Sequence, residues 1–179
     1  REAYRYGFAM LQNSSRRRRG KALAQTLRPD EVWEVLKPDK STQILNQIPV
    51  MIGAAPILIQ QGEAGYRVLR KAEIVFANNE LSRFYVRSLK RPGLHPDLVV
   101  EEASRLLRRS PPVISAAPLL IETLRKHRGM ETALAALLAL VKKSPDAGCR
   151  ALGRWPLARI DLLIAHRSQL LSSCGHLSG

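Results

Sequence analysis

The sequence predicts an all-α chain built as a short array of helical repeats, of either hand, and three observations carry that prediction. First, residues 49–59 read PVMIGAAPILI and residues 111–121 read PPVISAAPLLI, identical at seven of eleven positions. The blocks upstream of each, LRPDEVWE at 27–34 and LHPDLVVE at 94–101, agree at five of eight. Second, LLRRSP at 106–111 is echoed by LVKKSP at 140–145, 34 residues later. Third, apolar residues recur at helical spacing, and no segment alternates in the manner of a strand. A duplicated unit with one apolar face must stack on a neighbour to bury it. The periods predict four units of about 31 to 34 residues, keyed at Pro49, Glu80, Pro111 and Pro145, within a repeat domain over 27–173.

Residues 1–26 read as a basic extension. Arg16, Arg17, Arg18, Arg19 and Lys21 show no apolar period, and four adjacent like charges repel, so this stretch is expected to stay disordered until neutralised. Pro29, Asp30 and Glu31 suit a helix start, with proline in the first turn and acids near the unpartnered amides. Val32, Val35 and Leu36 supply its inward stripe and Pro38 stops it. A short helix over 41–47 is expected to end at Pro49, and another to begin around residues 54–56. Residues 64–91 hold the longest helical pattern, with Ile74, Ala77, Leu81 and Tyr85 on one side. Arg83, Arg87 and Lys90 form a stripe on the other side, and Asn78-Asn79 are the place where two helices would part.

The second copy is cleaner. Residues 96–109 carry Val99, Ala103 and Leu106 inward, with Glu101, Arg105 and Arg108 outward, Glu101 pairing with Arg105 one turn on. Ser110-Pro111-Pro112 breaks the helix. Ser115 is expected to cap a helix with Pro118 in its first turn, running to Arg128 and stopping at Gly129. Residues 131–143 are almost wholly apolar before Lys142-Lys143 and should lie in the middle of the packing. A final helix is expected over 156–171, followed by a flexible tail at 174–179.

Charge narrows the function. The chain has 29 Lys and Arg against 15 acids, a net +14, and Arg outnumbers Lys 21 to 8. The first 28 residues hold eight basic residues and one acid, half of the whole excess. Such a balance implies a polyanionic partner, and arginine favours forked contacts to phosphate. No helix pairs a basic face with a broad aromatic-rich apolar face, and no apolar run approaches the ~18 residues of a membrane span, so a membrane is not the expected partner. The pairs Arg108-Arg109 and Lys142-Lys143 recur at equivalent places, either as cations favoured at helix C-termini or as a spaced row of phosphate ligands. The candidate RNA contacts are thus Arg16, Arg17, Arg18, Arg19, Lys21, Arg83, Arg87, Lys90, Arg105, Arg108, Arg109, Lys142 and Lys143. Aromatic residues make up only 5%, which argues against reading bases one by one through stacking and for contact with the phosphates and 2′-hydroxyls of folded RNA.

Nothing points to catalysis: no Gly-rich phosphate loop, no HExxH, and no nucleophile, base and acid at a known spacing. Cys174 and His176, with His166 nearby, lack a fourth ligand at ordered spacing, so no metal, cofactor or small-molecule substrate is expected. Cys149 and Cys174 form no disulfide framework, which suits a reducing compartment.

A unit of this length, with an amphipathic helix ending L-L-R-R-S-P, a proline break and a P-x-L-[LI] helix, resembles the mitochondrial transcription termination factor (mTERF) repeat. The fuller match covers 94–145, a weaker one covers 27–59, and the unit near Glu80 lacks its proline. The resemblance implies two-helix units with a short turn, stacked into a curved superhelix. It implies a basic inner surface that follows nucleic acid, and residence in mitochondria or chloroplasts. Pro49, Pro111 and Pro145 would be its helix-breaking prolines, and it transfers no catalytic residue. The basic, acid-poor start at Arg1 leans the same way, toward an imported and trimmed product. The expected role is a structural, ribosome-associated subunit that clamps ribosomal RNA and packs against neighbouring ribosomal proteins in a mitochondrion. The alternatives are an organellar DNA-binding transcription or termination factor, and a protein-only adaptor.

Overall fold

The computed structural model describes residues 2–38 and 44–152, with side chains from Gln12 onward except at Cys149 and Leu152. Among them every regular element is an α-helix or a 3₁₀ turn and no strand occurs, so the chain is all-α. The helix expected over 156–171, the tail at 174–179, and the group Cys174, His176 and His166 lie outside the described residues. The chain divides into two compact lobes, residues 1–91 and 92–179, and each lobe contains one of the two sequence copies.

The first lobe begins with α1 (Glu2–Thr26), which replaces the disordered extension expected over 1–26. The stretch is a helix docked along α3 (Ile44–Gln60). No apolar stripe announces it, because the contact is made by small residues. A Cβ placed on Gly20 would sit 1.8 Å from the Val50 carbonyl oxygen, and one on Gly53 would sit 2.0 Å from that of Arg17. Glycine on both helices lets the backbones touch, and Ala24 and Ala54, both buried, continue the seam. The Gln61 amide donates to the Ala24 carbonyl at 3.1 Å, holding the end of α1 in place. The helix stops where Arg28 precedes Pro29, an arrangement that forces extended backbone (ψ 154°).

Helix α2 (Pro29–Leu36) follows its sequence signals: proline at the first position, Asp30 and Glu31 in the first turn, and the Glu31 carboxylate accepting from the Arg28 amide at 2.8 Å. Val32 and Leu36 are buried, whereas Val35, expected inward, is 46% exposed. Pro49 does not break the chain: α3 runs through both Pro49 and Pro56. An internal proline costs about 3 kcal/mol through a lost hydrogen bond and a clash. Pro49 stands in the second turn, where the freed carbonyl is that of Leu45, a residue 77% exposed at the open end of the helix. Further along, Val50, Met51, Ile52, Ala54, Ala55 and Leu58 are buried as α3 packs against α1, α2, α4 and α5. At about 1.5–3 kcal/mol for each large side chain, that burial outweighs the proline penalty.

The long pattern over 64–91 resolves into α4 (Gly62–Phe76) and α5 (Asn79–Ser88), divided at the predicted place. The inward stripe does not survive the division. Ala77 takes left-handed backbone (φ 47°), the helical phase restarts, and Ile74 ends 53% exposed while Leu81 and Tyr85 are fully buried. A cap marks the boundary where the proline is missing: the Asn78 side chain accepts from the amides of Glu80 and Leu81 at 2.9 and 3.2 Å. Tyr66 and Tyr85 stack at 5.7 Å in the core, and Arg91 covers Tyr66 at 5.3 Å while its guanidinium reaches Glu63.

In the second lobe, α6 (Pro96–Arg108) buries Val99, Ala103 and Leu106 as predicted. Glu102, 1% exposed, is the residue that Arg105 pairs with at 2.9 Å, in place of the expected Glu101. Residues 110–112 break the helix, a short 3₁₀ turn η1 (Ile114–Ala116) follows, and α7 (Ala117–Arg128) stops at Gly129, whose φ of 89° suits glycine. Ser115 does not cap α7; it lies inside η1, and its buried hydroxyl has no partner among the described residues. Helix α8 (Met130–Lys143) buries only one stripe, Ala133, Leu134, Leu137 and Val141, with Ala135 and Ala139 exposed, so it flanks the packing and does not occupy its centre. Pro145 opens α9 (Pro145–Leu152), which no apolar period announced.

The two copies therefore share one local structure and differ in the other. Both PD blocks open a helix with proline first, but the AAP block lies inside a continuous helix in one copy and after a break in the other.

Candidate nucleic-acid interface

Helical geometry decides what the arginine run presents. Successive residues turn by about 100°, so Arg16 to Arg19 fan around α1 and do not stack on one side. Ser14, Arg17, Arg18 and Lys21 share a face, at i, i+3, i+4 and i+7. That face lines a groove of about 620 Å3, with Ile52, Gly53 and Pro56 of α3 along its floor and Glu80 and Phe84 of α5 on the far side. A second cleft of about 440 Å3 continues along α5, lined by Asn78, Asn79, Glu80, Arg83, Phe84 and Arg87. Both clefts share Glu80 and Phe84, so they form one trough on the first lobe.

The charges in the trough are unequal in availability. Arg17 is tied to Glu80 at 2.9 Å, a half-exposed pair that bridges α1 to α5. Such a pair adds little stability, roughly 0–1 kcal/mol, but fixes where both groups stand. Glu80 also lies in the first turn of α5, where the helix dipole favours it. Arg18, Lys21 and Arg83 are exposed and have no acidic partner among the described residues. The Arg87 guanidinium lies 5.4 Å from the Phe84 ring centroid. Arg16, Arg19 and Lys90 are not among the residues that line either cleft.

The second lobe gathers a separate set. Arg108 ends α6 and Arg109 follows it, while Lys142 and Lys143 close α8. The Arg128 guanidinium reaches Asp97 at 2.5 Å, so α7 runs back to the start of α6. Helix α9, which follows the lysines, packs against η1, which follows the arginines. Both pairs consequently lie at the same end of this lobe. Arg108, Lys142 and Lys143 are exposed, whereas Arg105 is committed in part to the buried Glu102 carboxylate, whose charge it offsets.

Two acids outside the trough, Glu63 and Asp97, serve as partners of arginines. Glu63 is held below the usual carboxylate range by hydrogen bonds from Arg91 and Arg67, and Asp97 by the hydrogen bond from Arg128. Among the described residues no three metal-ligating side chains come together, and no helix is long and apolar enough to cross a membrane.

Sequence reasoning found the cations and missed their setting. Phe84 carried no expectation, and Glu80, Asn78 and Asn79 were marked only as a unit boundary and not as lining groups. The available signal was slight: one aromatic residue between two arginines of an outward stripe. Set against protein-family models, curated proteins and solved structures, the chain matches none of them.

Proposed function

We propose that this chain is a structural RNA-binding subunit, holding folded RNA through phosphate contacts within an organellar ribosome. One observation carries the reading: Arg18, Lys21 and Arg83, drawn from two helices far apart in sequence, stand around one trough of a strongly basic protein with no acidic partner among the described residues. Cations kept unpaired at such density repel one another, and a polyanion is the partner that relieves the repulsion. The second lobe contributes Arg108, Lys142 and Lys143 at one end, which extends the same chemistry to a further phosphate run. Helix α1 takes the place of a threading arm: its charges are presented from a docked, ordered element, so less ordering entropy opposes binding.

The stacked two-helix repeat and the mitochondrial setting come from the resemblance to the mTERF repeat, with a plastid as the other organelle that fits. Sedimentation of organelle lysate through a sucrose gradient tests the assignment. Migration with a ribosomal subunit that persists at moderate salt is the expected result. A position at the top of the gradient, with the purified chain preferring duplex DNA to ribosomal RNA fragments, would replace it with a DNA-binding factor of transcription.

A further inference from the structure

The trough on the first lobe has a charge pattern along its length. Arg18 and Lys21 stand at one end, Arg83 and Arg87 at the other, and the lining shared by both clefts is Glu80 and Phe84. A phosphodiester is attracted to either end and gains nothing in the middle, where Arg17 and the 40% exposed Glu80 side chain already neutralise each other at 2.9 Å. The middle suits an uncharged group with a flat face for the Phe84 ring and an N–H donor for the Glu80 oxygen that Arg17 does not occupy. A nucleobase has both, provided that it is unpaired: in a duplex its faces are covered by neighbours and its donor edge by its partner. The groove volume of about 620 Å3 is the size of a small-molecule site, enough to take a nucleobase. A low aromatic content excludes a ladder of stacked bases but leaves room for a single seat.

We propose that this trough holds a single-stranded stretch of RNA, with one base against Phe84 and Glu80 and its flanking phosphates on the two cationic ends. The proposal rests on the reading of the chain as RNA-binding and specifies the form of RNA that the first lobe takes. Arg87, over the Phe84 ring, joins the base seat to the second phosphate position.

Fluorescence anisotropy with the full chain, at one fixed salt concentration, tests it on a single-stranded 12-nucleotide RNA and on a duplex RNA of the same length. Phe84→Ala is expected to weaken single-strand binding about tenfold more than duplex binding, and Phe84→Trp to retain the wild-type ratio. Equal losses on both RNAs, or no loss on either, would overturn the proposal while leaving RNA binding standing. Failure of the wild-type chain to bind either RNA would overturn the functional reading and this inference together. Because Phe84 is half-buried, a second measurement uses only the wild-type chain: irradiation with a 4-thiouridine-substituted single strand. Crosslinks within residues 78–87 are expected, and crosslinks confined to other segments would contradict the proposal.

Discussion

Gly20 of α1 lies so close to Val50 of α3 that a methyl group on the glycine would stand 1.8 Å from the valine carbonyl oxygen. This contact, made from backbone to backbone, holds the arginine run in a fixed place on the first lobe.

Gly20→Ala should accordingly destabilise the chain by about 1–3 kcal/mol, since the obstacle is a carbonyl that cannot rotate away. Ala22→Gly, on the exposed face of the same helix, should cost about 1 kcal/mol or less, through helix propensity alone. Thermal melts of the two variants compare the cases. An equal or smaller loss for Gly20→Ala would mean that α1 is not seated as described.

The same contact explains what could be read from the sequence. Periodicity found α2, α6, α7 and the division between α4 and α5, because in each an apolar stripe, a first-turn proline, an asparagine cap or a glycine stop marks the element. It missed α1, whose docking surface is Gly20 and Ala24. Small residues carry almost no hydrophobic signal, and four adjacent arginines suggest repulsion when they are read as a line. It also placed a break at Pro49, because the cost of an internal proline is local and visible, whereas the burial of Met51 and Leu58 that offsets it is tertiary. For the interface, the cations were evident and the trough was not, since Arg18 and Phe84 meet only after α1 docks.

Asn78→Ala should cost about 1 kcal/mol, because two amides at the start of α5 lose their acceptor. Asn78→Asp, which keeps an acceptor beside those amides, should stay close to wild type. Denaturant midpoints measure both, and a neutral Asn78→Ala would show that the cap does not define this helix start.

Acid should weaken the second lobe through Asp97. Its pKa is lowered in the folded chain by Arg128, so its contribution is complete above the ordinary value of 3.8 and disappears as the pH falls through the lower folded value. Asp97→Asn should therefore melt somewhat below wild type at pH 7, and the gap should close as the pH drops below 3.8. A gap of constant size down to strongly acid pH would show that the Arg128 pair is not its source.

The central claim is that the trough cations bind phosphate, and the salt dependence of RNA affinity tests it most directly. Each phosphate contact contributes about 0.7–0.9 to the slope of log affinity against log salt. Replacing Arg18, Lys21 and Arg83 together by alanine should lower that slope by about two to three relative to wild type, while Arg67→Ala, outside the trough, should leave it in place. A triple variant with the wild-type slope would contradict the account.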